Sequence, residues 1–403
     1  MNINTSQLIL NQSFEVVERK GVGHPDTLAD GLAEAVSIAY SQYCLKQFGA
    51  ILHHNVDKTN ITGGLVDIDF GRGIMTEKAK VIVNGRMSTD YAGHPIDVEG
   101  IQSKAVVEYL NKVLPHFDTD KWLEFISSSV PYSHNPYWYH PRGIQDLPEI
   151  IYPKCNDTAT CVGYWPLTLG DNLALYLEGW FYTEGGKPKF NYIGQDIKCM
   201  VVINGNDIKI TMNIPFISTQ TPDVEFYKAR LQSIKAELTR LAYQISGSGF
   251  DIELSLNGMD NDEKNDYYLL LTGSCIEAGE EGVVGRGNKT RGTINSTRPF
   301  TMEAPSGKNP VYHVGKIYTM MADEIAKEVS ERFDCAAQVF LTSKIGNNLY
   351  DPEDINVLTD IRLSKSDIQP IITKAIERRD WTNLLVNESA LVPKTLTYTY
   401  EKA

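Results

Sequence analysis

Two loops close together in the sequence combine glycine with cationic residues. Residues 285–291 read Gly-Arg-Gly-Asn-Lys-Thr-Arg, and residues 303–316 read Glu-Ala-Pro-Ser-Gly-Lys-Asn-Pro-Val-Tyr-His-Val-Gly-Lys. Glycine lets the backbone approach a ligand closely, and lysine and arginine supply charge and donors for phosphate oxygens. A third run, Gly-His-Pro-Asp at residues 23–26, stands where a helix would begin. Together the three runs predict a site for a triphosphate and a metal ion, and therefore a nucleotide enzyme.

The third run opens a predicted amphipathic helix over residues 25–47, whose apolar residues recur at helical spacing. Proline suits the first helical position, and an aspartate suits the first turn. Asp26, Asp30 and Glu34 recur every four residues and share one face. Such a stripe is typical of a solvated acidic face. His24 beside Asp26 supports the alternative, a ligand-binding face, because an anion and its metal would dock at a helix start.

The rest of the chain alternates between helical and strand-like patterns. Further helices are predicted near residues 100–114, 222–246, 313–332 and 366–379. Strands are predicted near residues 51–56, 61–70, 79–84, 198–204, 207–215, 250–256, 266–273, 336–343, 355–362 and 395–400. This alternation predicts an α+β fold, with helices covering one face of mostly antiparallel sheets. Doubly wound nucleotide folds are disfavoured, since neither Gly-x-Gly-x-x-Gly after a first strand nor a P-loop motif occurs.

Composition narrows the class of protein. The 403 residues suffice for two or three domains, and a net charge of −13 argues against broad binding of nucleic acid or anionic membranes. No apolar run approaches the roughly 20 residues of a membrane span, and the first residues lack a signal-peptide pattern. The six cysteines are scattered without a Cys-x-x-Cys pair, which disfavours a zinc site. We therefore expect a cytoplasmic protein.

Seven groups of motifs, in one order along the chain, resemble the archaeal-type S-adenosylmethionine synthetases. They are Glu-Arg-Lys-Gly-Val-Gly-His-Pro-Asp (18–26), Gly-Ala-Ile-Leu-His-His-Asn (49–55), Asn-Asp-Thr (156–158) with Val-Gly-Tyr (162–164), Gly-Gln-Asp-Ile-Lys (194–198), Gly-Arg-Gly-Asn (285–288), Ser-Gly-Lys-Asn-Pro (306–310) and His-Val-Gly-Lys (313–316). The resemblance implies transfer of the adenosyl group of ATP to the sulfur of methionine. The released triphosphate is then cleaved to pyrophosphate and phosphate.

The resemblance also implies an architecture. The family has three similar α+β domains in a pseudo-threefold arrangement, which we place near residues 1–125, 126–248 and 249–403, with interleaving allowed. It implies a homodimer or larger homo-oligomer whose active sites are shared between subunits. Mg²⁺ is the implied cofactor, and many members also use K⁺. The implied partners are small molecules, ATP and methionine or a related acceptor.

Residue roles follow from the resemblance, position by position. His24 would hydrogen-bond the phosphate chain near the bond that breaks, and Lys198, Arg286 and Lys308 would hold phosphate oxygens. Asp26 would hold Mg²⁺, and His313 is a second metal candidate. The further ATP-binding candidates are Asp157, Ser306, Gly307, Asn309, Lys316, Ile345 and Gly346, with Asp157 at the ribose or the amino-acid ammonium and residues 345–346 at the adenine. For His53 and His54 two roles stay open, a structural role in the core and packing near the nucleotide.

The departures from the family pattern gather around the acceptor. Residues 127–140 read Ser-Ser-Ser-Val-Pro-Tyr-Ser-His-Asn-Pro-Tyr-Trp-Tyr-His, where the family usually has a run like Arg-Ile-Gly-Gln-Gly-Ser. Trp165 stands where alanine is usual, and the usual Asn-His before Val-Gly-Lys reads Tyr312-His313. The candidate acceptor-binding residues are therefore Tyr132, Ser133, His134 and Trp165.

Two explanations of these departures stay open: a methionine site with different walls, or a paralogue whose acceptor is not methionine. A non-catalytic regulatory paralogue is a third possibility. It is disfavoured because a non-catalytic protein has no need of His24, Asp26, Lys198, Arg286 and Lys308, all of which are present.

Overall fold

The computed structural model describes residues 2–8, 14–147, 152–183 and 190–394. Its helices are α1 (Pro25–Phe48), α2 (Val98–Val113), α3 (Thr119–Trp122), α4 (Leu169–Gly179), α5 (Val224–Ser246), α6 (Val314–Phe333), α7 (Lys365–Glu377) and α8 (Trp381–Val386). None of the helices in these ranges is long and apolar enough to cross a membrane.

The strands are β1 (Asn2–Gln7), β2 (Phe14–Lys20), β3 (His54–Asn55), β4 (Asn60–Thr62), β5 (Leu65–Asp69), β6 (Arg72–Glu77), β7 (Ala79–Met87), β8 (Asp90–Tyr91), β9 (His94–Pro95), β10 (Leu123–Val130), β11 (Thr160–Trp165), β12 (Lys198–Asn204), β13 (Asp207–Asn213), β14 (Phe216–Ile217), β15 (Asp251–Leu256), β16 (Leu269–Leu270), β17 (Gly282–Val283), β18 (Ile294–Asn295), β19 (Ala337–Thr342) and β20 (Asp354–Thr359).

Three larger sheets share one pattern of strand directions. Their orders are β15-β13-β12-β2-β18, β10-β7-β4-β17 with β3 also on β7, and β1-β20-β19-β11. In each sheet the first two strands are parallel and the following pairs are antiparallel. Each sheet also joins strands that are far apart in the sequence. The α+β prediction is confirmed, and its antiparallel sheets carry one parallel strand at an edge.

Each sheet packs two long helices onto one face and so forms its own apolar core. α1 and α2 pack with the β7 sheet around Leu28, Val81 and Val106. α4 and α5 pack with the β12 sheet, and α6 and α7 pack with the β19 sheet. β13 shows why one face is chosen: its residues alternate strictly between exposed and buried, which is the period-two pattern of a half-covered sheet.

All five predicted helices are confirmed, as α1, α2, α5, α6 and α7. α4 was not predicted, although Thr168 and Asp171 form a capping box at its start. Most predicted strands are confirmed, but the segments 51–56 and 266–273 form only the two-residue strands β3 and β16. The predicted strand 395–400 lies outside the described residues.

Candidate functional site

The N-terminus of α1 brings the first two motifs together. His24 caps the helix, because its Nδ1 accepts a hydrogen bond from the Asp26 N–H at 3.2 Å. The Asp26 carboxylate accepts from Lys20 Nζ at 2.8 Å and from the Val283 N–H at 3.1 Å. Arg286 Nε lies 4.0 Å from the same carboxylate, and the Arg286 side chain is 72% exposed. The Gly-His-Pro-Asp run and the Gly-Arg-Gly-Asn loop therefore meet at one helix end.

His24 is held in its neutral form. Burial, with the nearby Lys20 ammonium, lowers the pKa of His24 to about 4. Its Nδ1 accepts a hydrogen bond, so the single ring proton belongs on Nε2. Lys198, which pairs with Glu18 at 2.8 Å, adds positive charge to the surroundings of the ring. A neutral N–H donor among cations at a helix N-terminus suits an anionic ligand.

The acidic stripe of α1 is buried, so the expectation of a solvated face is wrong. Asp26, Asp30 and Glu34 are 5%, 7% and 0% exposed. Asp30 Oδ1 accepts from the Gly285 N–H at 2.9 Å, and Glu34 Oε2 accepts from the Gly307 N–H at 3.0 Å. The stripe fastens both cationic loops to one helix. Glu34 lies eight positions after Asp26 in the helix, a rise of roughly 12 Å.

Glu34 also holds Lys316. The Lys316 ammonium lies 2.9 and 2.7 Å from the two Glu34 oxygens, and neither side chain is more than 1% exposed. This pair joins α1 to α6 beneath the loop of the Ser-Gly-Lys motif. In this structure Lys316 is out of reach of a ligand, and its position favours a supporting role over the predicted contact with ATP.

Lys308 lies in a second cluster of charges. Its ammonium is 2.8 Å from Asp57 Oδ2 and 3.0 Å from Glu303 Oε2, and its side chain is 3% exposed. His313 caps α6 as His24 caps α1, with Nδ1 accepting from the Gly315 N–H at 3.2 Å. Burial, with the nearby Lys308, lowers the pKa of His313 to about 3. Among the described residues His313 belongs to no group of three or more His, Cys, Asp and Glu side chains, so the structure gives its predicted metal role no support.

Two other ATP candidates of this loop have internal roles. Asn309 is fully buried; its amide donates to the Leu52 carbonyl at 3.1 Å and accepts from the Val311 N–H at 2.9 Å. Gly307 has φ of +76°, and an added Cβ would come within 2.9 Å of Val56 backbone atoms. Ser306 lines a cavity of about 270 Å³ behind the two cationic loops. The loop's backbone is thus fixed tightly around Lys308.

The adenosine candidates come together although they are distant in sequence. The Ile345 N–H donates to Thr158 Oγ1 at 3.0 Å, and the Gly346 N–H donates to the Cys155 carbonyl at 2.9 Å. Gly346 has φ of +83°, which favours glycine. Asp157 and Ile345 are exposed, the latter by 63%. The Asn-Asp-Thr and Ile-Gly segments therefore form one accessible surface.

The four acceptor candidates lie in two neighbourhoods. Tyr132 and His134 follow β10, with their rings in edge contact and Tyr132 64% exposed. Ser133 lies between them and is half-buried. Trp165, by contrast, ends β11 and packs against the α6–α7 core. Its ring lies 4.9 Å from the Arg291 guanidinium and 5.3 Å from the Lys327 ammonium.

Sequence reasoning missed the partners of the cations. Lys20, Asp57 and Glu303 were not singled out, and Asp30 and Glu34 were not assigned to the loops that they hold. Lys20 stands in the Glu-Arg-Lys run of the first motif, so a signal for it existed. Glu303 opens the second cationic loop, so a signal for it existed as well. Asp57 has none, because only folding places it beside Lys308.

The site fits magnesium carried by a nucleotide better than a resident metal. Within the described ranges, no group of three or more His, Cys, Asp and Glu side chains gathers as a metal cage. Mg²⁺ in nucleotide sites usually takes one or two carboxylates together with substrate phosphates. Asp26, at the start of α1 beside Arg286, offers one such carboxylate, which in this structure is paired with the Lys20 ammonium at 2.8 Å.

Comparison with known proteins defines the class. The family model described as S-adenosylmethionine synthetase (AdoMet synthetase) matches residues 1–387. An S-adenosylmethionine synthase of Haloarcula marismortui is 34% identical over 376 residues, covering 91% of this chain and 90% of the relative. That of Methanocaldococcus jannaschii is 33% identical over 402 residues, covering 95% of both chains. The protein belongs to the S-adenosylmethionine synthetase family.

A second group of relatives is more similar to this chain. An uncharacterized protein of Streptococcus pyogenes serotype M3 is 41% identical over 395 residues and covers 96% of both chains. This likeness fits a branch of the family that has diverged from the archaeal synthases.

Proposed function

We propose that the protein is an ATP-dependent adenosyltransferase that joins the adenosyl group to the sulfur of methionine. It then cleaves the released triphosphate to pyrophosphate and phosphate. The observation that carries the proposal is the N-terminus of α1, where neutral His24 and the Asp26 carboxylate lie close to Arg286. The reaction class comes from membership of the family.

The chemistry needs charge stabilisation more than proton transfer. A lone pair of the thioether sulfur attacks C5′, the C5′–O bond breaks, and the triphosphate leaves with the bonding electrons. A thioether carries no proton to remove, so no general base is required. His24 Nε2–H is placed to donate to the phosphate chain, while Lys198 and Arg286 face the growing negative charge. Such preorganised donors are a large source of rate enhancement.

Mg²⁺, when bound with ATP, would neutralise part of the triphosphate charge, and Asp26 is the residue we assign to it. K⁺ is a second proposed ion. Lys308, whose loop is held at Glu34 near the middle of α1, would hold further phosphate oxygens. Asp157 with Ile345 and Gly346 would bind the adenosine. The exposure of Asp157, Ile345 and Arg286 supports sites completed by a second subunit in a homodimer or larger assembly. A cytoplasmic location remains part of the proposal.

We also propose that the chain is built of three similar domains near residues 1–125, 126–248 and 249–403, in a pseudo-threefold arrangement. The shared order of strand directions in three sheets supports this, as do three cores with two long helices each. The interleaving allowed for the boundaries is needed, since β2 lies in the sheet of β12 and β1 in that of β20.

A second candidate function is the same transfer to an acceptor other than methionine. The observation that favours it is the rewritten segment 127–140, in which Trp138 stacks on His53, and His53 in turn contacts Tyr312 in the loop that precedes α6. A non-catalytic regulatory paralogue is a third reading, which the complete set of cations around α1 disfavours.

Turnover with ATP and Mg²⁺ against a panel of thioethers and amines, read by product mass, tests these readings. Arg286→Ala is a cleaner test than Lys308→Ala. Arg286 is exposed, whereas Lys308 is buried between two carboxylates, so its removal would also affect folding. We expect a fall of about 100- to 1,000-fold in turnover, the usual cost of one preorganised charge contact. Arg72→Ala, at an arginine 69% exposed on β6, is the matched control. ATP binding without transfer to any acceptor would leave only the regulatory reading.

A further inference from the structure

Lys20, the last residue of β2, binds two residues of the proposed site at once. Its ammonium donates to Asp26 Oδ2 at 2.8 Å and to the Arg286 carbonyl at 2.8 Å. The Lys20 side chain is 11% exposed and the Asp26 side chain 7%, so water has little access to the pair. A charge removed from water needs strong partners, and Lys20 finds both at the N-terminus of α1.

The backbone of Lys20 is fixed as firmly as its ammonium. The Lys20 N–H donates to Asn288 Oδ1 at 3.0 Å, and the Lys20 carbonyl accepts from Asn288 Nδ2 at 2.6 Å. Thr27 Oγ1 donates to the same carbonyl at 3.2 Å. Because the backbone is held in this way, the ammonium stays within side-chain reach of Asp26 whatever else binds there.

Lys20 lies directly opposite Lys198 in the antiparallel pair of β2 and β12. Side chains at opposite positions lie on one face of the sheet, and like charges there destabilise each other. Each ammonium is balanced by a carboxylate, Lys20 by Asp26 and Lys198 by Glu18, both at 2.8 Å. Two neighbouring cations suit a polyanion, and a polyanion that arrives with its metal would compete with these two ion pairs.

The Asp26 carboxylate is already engaged through both oxygens. Oδ1 accepts from the Val283 N–H at 3.1 Å, and Oδ2 accepts from the Lys20 ammonium. A carboxylate has about four lone-pair positions, so room for a further ligand remains. A metal ion held by Asp26 would nevertheless share this carboxylate with the Lys20 ammonium, and two cations that share one anion repel each other.

The other charges nearby are engaged elsewhere. Arg286 Nε stands 4.0 Å from the Asp26 carboxylate, and its side chain points largely into solvent. Asp30 accepts from the Gly285 N–H at 2.9 Å, and Lys289 donates to the Gly285 carbonyl at 3.0 Å. In the described part of the chain, the ammonium at the end of β2 is therefore the cation in closest contact with Asp26.

We propose that Lys20 and Mg²⁺ compete for the Asp26 carboxylate, so that Lys20 sets how strongly the binding of ATP depends on Mg²⁺. This inference rests on the proposed function, in which Asp26 serves the metal and Arg286 the phosphates. Lys20 is a positioning residue, because it acts on ATP through Asp26. Without Mg²⁺ its ammonium neutralises a carboxylate that would repel the phosphates, and with Mg²⁺ it opposes the metal.

The test is the ratio of the Kd for ATP in EDTA to the Kd for ATP in Mg²⁺, measured by calorimetry without an acceptor. Lys20→Met should raise this ratio by about 10- to 100-fold, the range for one hydrogen bond to a charged group. ATP alone should bind more weakly, because the Asp26 carboxylate then faces the phosphates without its counter-ion. Mg²⁺ should restore more affinity than in wild type, because it no longer competes with an ammonium.

Lys80→Met is the matched control, at a lysine of β7 that pairs with Glu124 at 3.4 Å. Both of its dissociation constants should match those of wild type. If Lys20→Met does not fold, Lys20→Gln decides the test, because its amide can still donate to Asp26 without carrying charge. In an Asp26→Asn background, either change at Lys20 should leave the ratio where Asp26→Asn alone sets it. A further change there would show that Lys20 acts by another route and would overturn the competition.

The outcomes separate this inference from the proposed function. A folded Lys20 variant that weakens both dissociation constants equally, and so keeps the wild-type ratio, overturns the competition and leaves Lys20 a merely structural residue. The predicted ratios without transfer to any acceptor overturn the adenosyl transfer and leave the competition standing. Wild type that binds no ATP under either condition overturns both.

Discussion

Replacing Lys316 by methionine isolates the contribution of the buried pair between α1 and α6. The Glu34 and Lys316 side chains are 0% and 1% exposed, so Lys316→Met leaves a carboxylate without its counter-ion and without water. Removing one partner of a buried ion pair costs about 3–5 kcal/mol. Glu34 also accepts a hydrogen bond from the Gly307 N–H, so the loop that carries Lys308 should become less ordered when Glu34 loses Lys316.

The expected loss can be measured as a shift in melting temperature. At about 2–4 °C per kcal/mol for domains of this size, Lys316→Met should melt roughly 6–20 °C below wild type. The double variant Glu34→Gln with Lys316→Met removes both charges and should recover most of that loss, because no uncompensated charge is left. Thermal unfolding of the four proteins of this cycle gives the coupling energy directly. Turnover of Lys316→Met, measured well below its melting temperature, shows whether the loop that carries Lys308 has lost its function in the folded protein.

Lys327→Met is the matched control, at a lysine 50% exposed on the same helix. It should shift the melting temperature little, since exposed pairs contribute at most about 1 kcal/mol. The reasoning is refuted if Lys316→Met melts like wild type while its KM for ATP rises. That outcome would return Lys316 to the direct ATP contact that the sequence predicted.

Three further predictions concern single side chains. His24→Ala should slow single-turnover adenosyl transfer more than it weakens equilibrium binding of ATP; loss of affinity with unchanged chemistry would contradict its role. Burial raises the pKa of Asp30 from 3.8 to about 7, so between about pH 4 and 7 only the folded state keeps this proton. Wild-type stability should therefore fall as pH rises through that window, and melting curves of Asp30→Asn should lose this dependence; parallel curves would refute it. Trp165→Ala should lower stability by about 1–3 kcal/mol through lost packing and leave the ratio of kcat/KM for methionine to that for bulkier thioethers unchanged. A changed ratio would restore the acceptor role that the sequence suggested.

Local sequence determined the long helices of this protein and the identity of its chemical groups. α1 begins where His24 and Pro25 supply a cap and a first turn, and it ends at Gly49, whose φ of +73° suits glycine. These signals act within a few residues, so they are readable without the fold. α4 had such a signal as well, in the capping box of Thr168 and Asp171.

The motifs determined the family for a different reason. Glycine, histidine, lysine and arginine at fixed spacing keep their chemistry in any fold that presents them to a ligand. The order of the motifs along the chain then made the resemblance specific, and the family match over residues 1–387 confirmed it.

Only the tertiary structure decided which groups meet. Asp30 holds Gly285 across 255 residues, and Glu34 holds Gly307 across 273 residues. No sequence periodicity extends over such separations. An acidic stripe therefore has the same sequence pattern whether it faces water or packs against a loop. The packing of Trp165 against the α6–α7 core likewise exists only in the fold, and its acceptor role stays a prediction. Burial decides the place of Asp30 and Glu34, because a polar group removed from water must find a partner, and only the packed chain brings that partner within reach.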